Sequence, residues 1–183
     1  MKEKRRQNRI RVRRITTCAI LAALGVVLLY LGALVEVLDL SVGVLASLVC
    51  VFATVEMGGA WPWMVYAVVS ILSLVLLPQK NPAVIFLLFG GYYPILKAYY
   101  ERLRALPAWV LKLLHFNVAL TAAFFLLKEL FLAPDVAWMN GAIWAVIVYV
   151  AGNATFLLYD FALTRLISAY LRVFREKLRI RKL

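Results

Sequence analysis

Thr16 to Gly32 reads TTCAILAALGVVLLYLG, and the reading of this stretch decides the fold. Basic residues crowd the positions directly before it, and Glu36 and Asp39 follow it. With its flanks it gives an uncharged run from Ile15 to Val35, which meets the requirement of about 20 apolar residues for crossing a bilayer. Its small residues recur at helical spacing: Ala19 and Ala23 are four apart, with Cys18, Ala22 and Gly25 beside them. A first membrane helix with a contact surface for a second helix is the expectation.

Composition extends that expectation to the whole chain. Of 183 residues, 65% are apolar and only 16% are charged. Soluble domains carry about half apolar residues, and one core of this size could not hide the excess. A basic start before an apolar run is also the pattern of a signal peptide. Here the run exceeds the usual signal core of about 7–15 residues, and no small-x-small cleavage site follows, so a retained helix is expected.

Six spans follow from the apolar runs. They are placed at Ile15 to Val35, Leu40 to Val55, Ala60 to Leu77, Ala83 to Leu96, Leu113 to Leu127, and from Val136 past Tyr159. Glu56 with Gly58-Gly59, the Pro78-Gln79-Lys80-Asn81-Pro82 turn, a connector containing Pro107, and Pro134-Asp135 separate them. The second span is short at this count. Trp61, Trp63, Trp109 and Trp138 fall at span ends, where an aromatic belt forms.

Charge fixes the orientation. The chain carries a net charge of +12, with eight Lys or Arg in the first 14 residues and seven more between Arg165 and Lys182. Six spans put both termini on one side, together with Lys97, Arg102, Arg104 and Lys112. Of the 21 Lys and Arg, 19 then lie inside, leaving Lys80 and Lys128 outside. That asymmetry predicts an all-α integral membrane protein, a six-helix bundle with N-in/C-in topology. Its parts are a basic cytoplasmic arm at 1–14, the membrane domain at 15–164 and a basic amphipathic tail at 165–183. The basic ends are read as partners of anionic lipid, with no nucleic acid involved.

Polar residues within spans are costly and are functional candidates by default. The outer group includes Glu36, Asp39, Asn81, Lys128, Glu129 and Asn140, which are the candidate substrate-binding residues. Lys128-Glu129, at the end of a Phe- and Leu-rich span, either lines a cavity or snorkels to the interface. The inner group includes Glu56, Tyr92, Tyr93, Lys97, His115, Asn117, Asn153, Asp160 and Arg165. For Asp160 and Arg165 an ion pair or interfacial placement serves as well as a relay. Small-residue seams on the second span (Gly43, Ser47, Cys50, Thr54) and on the sixth (Gly141, Ala145, Gly152) read as internal packing. Cys18 and Cys50 have no metal-ligand spacing, and the single His lacks companions, so neither metal nor cofactor is expected. No phosphate loop, zinc-protease motif or nucleophile elbow is present, so an enzyme is not expected either.

A chain of this length with six helices, basic ends and no ATPase motif resembles the substrate-binding S component of energy-coupling factor (ECF) transporters. The match rests on Arg13-Arg14-Ile15-Thr16 followed by Ala19-Ile20-Leu21-Ala22-Ala23, an Ala-x-x-x-Ala helix after a basic arm. Phe89-Gly90-Gly91-Tyr92-Tyr93-Pro94-Ile95-Leu96-Lys97 also looks like a run in uncharacterised bacterial membrane proteins of this shape. The resemblance implies a vitamin-like small-molecule substrate bound at the outer side. It also implies docking of Ala19, Ala22 and Ala23 on a transmembrane coupling subunit that works with ATPase subunits. The chain departs from the pattern in having only a tight turn around Val35 to Leu40, where many S components carry a long loop over the ligand. Spacing alone leaves a second use open, since the same alanines could pack on the chain's own second helix. A non-transporting membrane scaffold or assembly factor is the alternative function.

Overall fold

The computed structural model describes residues 2–34, 39–130 and 142–174. Every regular element among them is helical. In order these are α1 (Lys2–Ala33), α2 (Asp39–Glu56), α3 (Trp61–Leu76), α4 (Asn81–Ile85), a π-helical turn (Phe86–Gly90), α5 (Tyr93–Tyr100), α6 (Ala105–Leu130), α7 (Ala142–Ala169) and a second π-helical turn (Tyr170–Phe174). Among the described residues, four stretches are long and apolar enough to cross a membrane: Glu3–Ala33, Asn81–Tyr100, Leu106–Ala123 and Val146–Arg172. The apolar helices Ser41–Glu56 and Trp61–Leu76 are shorter. At 1.5 Å per residue, 16 residues rise about 24 Å, less than the ~30 Å hydrocarbon core.

Three boundaries depart from the sequence expectation. Pro107 lies inside the first turn of α6 rather than in a connector, a position where its missing N–H is no loss. The fourth span is not one regular α-helix, because α4 passes through the π turn before α5 begins. The first helix does not start at Ile15, because α1 continues unbroken back to Lys2. The start of the sixth span at Val136 lies outside the described residues.

The chain divides after Tyr99 into two compact units. In the first, α1 packs along both α2 and α3. Cys18 Sγ meets Met57 Sδ at 3.7 Å, and a Cβ on Gly32 would lie 2.5 Å from Val42 Cγ1, so α1 and α2 run antiparallel in close register. Gly58 and Gly59 take the left-handed conformation (φ 60° and 61°) that tightens the turn into α3. The contact surface is made of small side chains: Ala22 on α1 and Ala46, Cys50 and Ala53 on α2 are all buried. Phe86, Val65, Val69 and Leu77 complete this core.

Gly90 and Gly91 explain themselves by proximity. A Cβ on Gly90 would stand 3.1 Å from the Gly43 carbonyl oxygen, so the π turn and the α2 backbone nearly touch. A Cβ on Gly91 would come within 2.5 Å of Tyr66 Cδ2 and 2.7 Å of Phe86 Cε1. Tyr66 fills that space and donates its hydroxyl to the Leu87 carbonyl at 2.9 Å, inside the widened turn. Its ring also meets Tyr92 edge-on at 5.9 Å. Substitution at this junction overpacks a filled site, at a cost of ~1–3 kcal/mol. Gly91→Val is therefore expected to lower the thermal midpoint of the detergent-solubilised protein clearly, while Val75→Ala, on an exposed position of α3, leaves it nearly unchanged.

Candidate functional site

Helix α1 presents two faces. Ala22, Gly25, Leu29 and Ala33 are buried in the first unit, whereas Ala19, Ile20, Ala23, Leu24 and Val27 are exposed. The three alanines expected to act together therefore separate: Ala22 is 4% exposed and belongs to the core, and Ala19 and Ala23 form a small-residue strip on the open side. The seam predicted on α2 is internal, with Gly43, Ser47 and Cys50 buried. Thr16 and Thr17 close their hydroxyls onto the carbonyls of Val12 and Arg13 at 3.0 Å each, which removes two polar groups from the start of the apolar run.

The candidate substrate residues are reached unevenly. Asp39 begins α2 and Asn81, exposed, begins α4. The register that sets Gly43 against Ile85 brings these two helix starts to the same end of the first unit. Lys128 and Glu129 lie in the last turn of α6, in the second unit. Glu36 and Asn140 lie outside the described residues.

The most developed polar arrangement is one that no motif announced. Helices α6 and α7 run antiparallel and are joined by three successive polar pairs. Lys112 Nζ donates to both carboxylate oxygens of Asp160, at 3.2 and 3.0 Å, with only 5% and 3% of the two residues exposed. Glu101 stands 3.7 Å from the same ammonium, and the Trp109 ring lies 5.2 Å beneath it. One to two turns along, Asn117 and Asn153 exchange amide hydrogen bonds at 3.1 and 3.0 Å. Each amide spends its second N–H on its own helix, Asn117 on the Leu113 carbonyl and Asn153 on the Tyr149 carbonyl, both at 2.8 Å. Beyond them Thr121 Oγ1 and the Tyr149 hydroxyl are 2.6 Å apart. Thr121 gives its only proton to the Asn117 carbonyl, so Tyr149 is the donor in that pair.

Phe116 and Phe156 stack between the first two rungs with centroids 4.6 Å apart. Gly152 admits Leu120 and Phe116 where a Cβ would meet Leu120 at 3.1 Å. Lys112 to Thr121 covers about 13 Å of helix rise. The ladder satisfies its own donors and acceptors over that depth, and in an apolar surrounding this is what permits such residues.

Sequence reading placed Asn117, Asn153 and Asp160 at the inner end but left Lys112 as a topological charge. The signal was present as matched spacing. Counting inward from Lys112 and Asp160 on antiparallel helices meets Asn117 against Asn153 and Thr121 against Tyr149. It was hidden because the fifth span was begun at Leu113, one residue past the lysine.

In the first unit, Glu56 on α2 and Lys97 on α5 are also buried. Lys97 follows the stacked pair Phe89 and Tyr93, whose centroids are 4.9 Å apart. Among the described residues no three of His, Cys, Asp and Glu gather in a group able to hold a metal. Comparison with protein-family models, curated proteins and solved structures finds no match.

Removing one partner of a buried ion pair leaves the other charge stranded and costs ~3–5 kcal/mol, whereas removing both together costs far less. Asp160→Asn and Lys112→Met are each expected to lower the unfolding midpoint strongly. The double variant K112M/D160N should recover most of the loss, as read by thermal unfolding in one detergent. Asn153→Leu removes a single rung and should cost ~0.6–2 kcal/mol, the scale of interhelical hydrogen bonds in membranes.

Proposed function

We propose that the chain is the membrane-embedded substrate-binding subunit of an ECF-type micronutrient uptake transporter, with six spans, both termini inside and the bacterial cytoplasmic membrane as its site. The observation that carries this reading is the division of α1. Its inner face is consumed by the first unit, and its outer face keeps a small-residue strip, Ala19 and Ala23, open to a partner helix. Small residues let two backbones approach closely, which is the main source of helix association in lipid.

The six-span topology draws support from α2 and α3. Each is short, but α2 runs beside α1 from Val42 at Gly32 to Met57 at Cys18, through the same depth as the apolar part of α1. A helix that follows a span over its apolar length is itself surrounded by the same medium. Asp39 and Asn81, at one end of the first unit, are the proposed start of an outward substrate site. Glu36, Lys128, Glu129 and Asn140 remain substrate-binding candidates on their sequence positions alone. The protein is proposed to act by binding and docking rather than by catalysis, with ATPase subunits supplying the energy through a transmembrane coupling subunit.

The scaffold alternative would use the same open face of α1 without a small ligand. Native mass spectrometry of the purified protein separates the two. A stoichiometric small molecule is expected, whereas a stable protein partner and no ligand would favour the scaffold.

Docking has its own test. Ala19→Trp and Ala23→Trp are expected to leave the purified protein monodisperse with its thermal midpoint retained, and to abolish co-purification with a coupling subunit. Ala22→Trp, in the core, should instead destabilise the fold. Undiminished co-purification of the Ala19 and Ala23 variants would contradict the docking role.

A further inference from the structure

We propose that the helix running from Asn81 to Tyr100 contains a switch between a π turn and an α turn, and that the Tyr66 hydroxyl is its latch. In the structure the Gly91 N–H donates to the Phe86 carbonyl, five residues back, at 2.7 Å. A regular α-helix would send that N–H to Leu87, four residues back. The widened turn therefore diverts the Leu87 carbonyl's own partner. Tyr66, reaching across from α3, replaces it, with its hydroxyl donating to the Leu87 carbonyl at 2.9 Å. The Tyr66 ring also meets Phe86, where the turn begins, with centroids 6.3 Å apart, and Tyr92, just past its end, at 5.9 Å. One side chain thus holds both ends of the turn.

A second acceptor stands beside the latch. Ser70 lies one turn further along α3, its hydroxyl near that of Tyr66 but outside hydrogen-bonding geometry. It is 3% exposed and makes no hydrogen bond among the described residues. Buried hydroxyls are almost always bonded, because burial removes the water that would otherwise serve them. Its neighbour Ser73 follows that rule, donating to the Ser70 carbonyl at 3.1 Å.

Two arrangements share these groups. In the widened form Gly91 serves Phe86, Tyr66 serves Leu87, and Ser70 is left over. In a regular form the Gly91 N–H returns to Leu87, and the Tyr66 hydroxyl passes to Ser70 Oγ. Hydrogen bonding favours the regular form. Packing favours the widened one, in which Tyr66 fills the space beside Gly91, where a Cβ would stand 2.5 Å from its Cδ2. Opposed preferences at one junction are what make an element bistable, and π turns inside helices are frequent at functional sites.

Motion follows from helix geometry. Taking the extra residue out of the turn rotates one side against the other by about 100° and shifts it by about 1.5 Å. On the α5 side Tyr93, Ile95 and Lys97 are at most 1% exposed and anchor that piece. The five-residue α4 is the part that turns, and exposed Asn81 is its first residue. Gly43 presents no side chain to Ile85, so α2 does not interlock with α4 at that point. The switch thus changes what stands beside Asp39 at that end of the unit. This bears on substrate binding only under the reading above, whereas the switch itself stands without it.

Electron–electron double resonance tests the switch, with spin labels on the full chain in a C18A/C50A background. Labels at Leu31→Cys and Asn81→Cys report on α4, and labels at Leu31→Cys and Val75→Cys are the control across α1 and α3. Tyr66→Phe strands the Leu87 carbonyl in the widened form alone. It is expected to shift the Leu31–Asn81 distance by several ångströms, or to add a second distance, with the Leu31–Val75 distance unchanged. Ser70→Ala removes the alternative acceptor and should keep the wild-type distances with a raised thermal midpoint. An unchanged Leu31–Asn81 distance in Tyr66→Phe would overturn the inference and leave the substrate-binding reading standing. A change in both label pairs, which marks general loss of packing, or a lowered midpoint in Ser70→Ala would overturn it as well.

Discussion

Close approach between α1 and its neighbours α2 and α3 is the constraint on which the rest of the first unit depends. In an apolar medium helices gain little by hiding apolar area, so they associate where backbones can come near one another. Ala22, Gly25 and Gly32 on α1 and Ala46, Cys50 and Ala53 on α2 are the residues that allow it. Gly43 repeats the device on the other side of α2, where Gly90 brings the π turn almost onto its carbonyl. Because one face of α1 is used in this way, its opposite face is left with large and small apolar residues that are exposed. The proposed function arises from that asymmetry.

The second unit solves a different problem. Helices α6 and α7 meet through polar side chains as well as small ones, and polar groups away from water are tolerable only when satisfied. Lys112 with Asp160, Asn117 with Asn153 and Thr121 with Tyr149 divide that task along one seam. Reciprocal amide pairs and a two-oxygen ion pair have demanding geometry, so the ladder fixes the register of the two helices as well as holding them together. A one-turn slip would strand several groups at once.

Much of this was legible in the sequence, for reasons that can be named. The apolar helices were visible because about 20 uncharged residues have few other uses, and the turn at Gly58-Gly59 because only glycine takes that backbone conformation freely. Buried Gly43, Ser47 and Cys50 followed from their helical spacing. The π turn at Phe86–Gly90 was not legible, since a one-residue widening of a helix leaves no periodic trace. Gly90-Gly91 marked the place without revealing the cause. Lys112 was missed because basic residues near a span end are counted for topology, and its partner Asp160 lies 48 residues away. The split of Ala22 from Ala19 and Ala23 was also beyond the sequence, because spacing shows that residues share a helix but not which neighbour each one faces.

The account rests most heavily on the orientation of α1, with its basic extension inside and the start of α4 outside. Substituted-cysteine labelling tests that most directly, in a background where Cys18 and Cys50 are replaced by Ala. A membrane-impermeant maleimide applied to intact cells should label Asn81→Cys at once. Gln7→Cys and Arg102→Cys should react only after the membrane is permeabilised. Labelling of Gln7→Cys in intact cells, or protection of Asn81→Cys until permeabilisation, would contradict the topology.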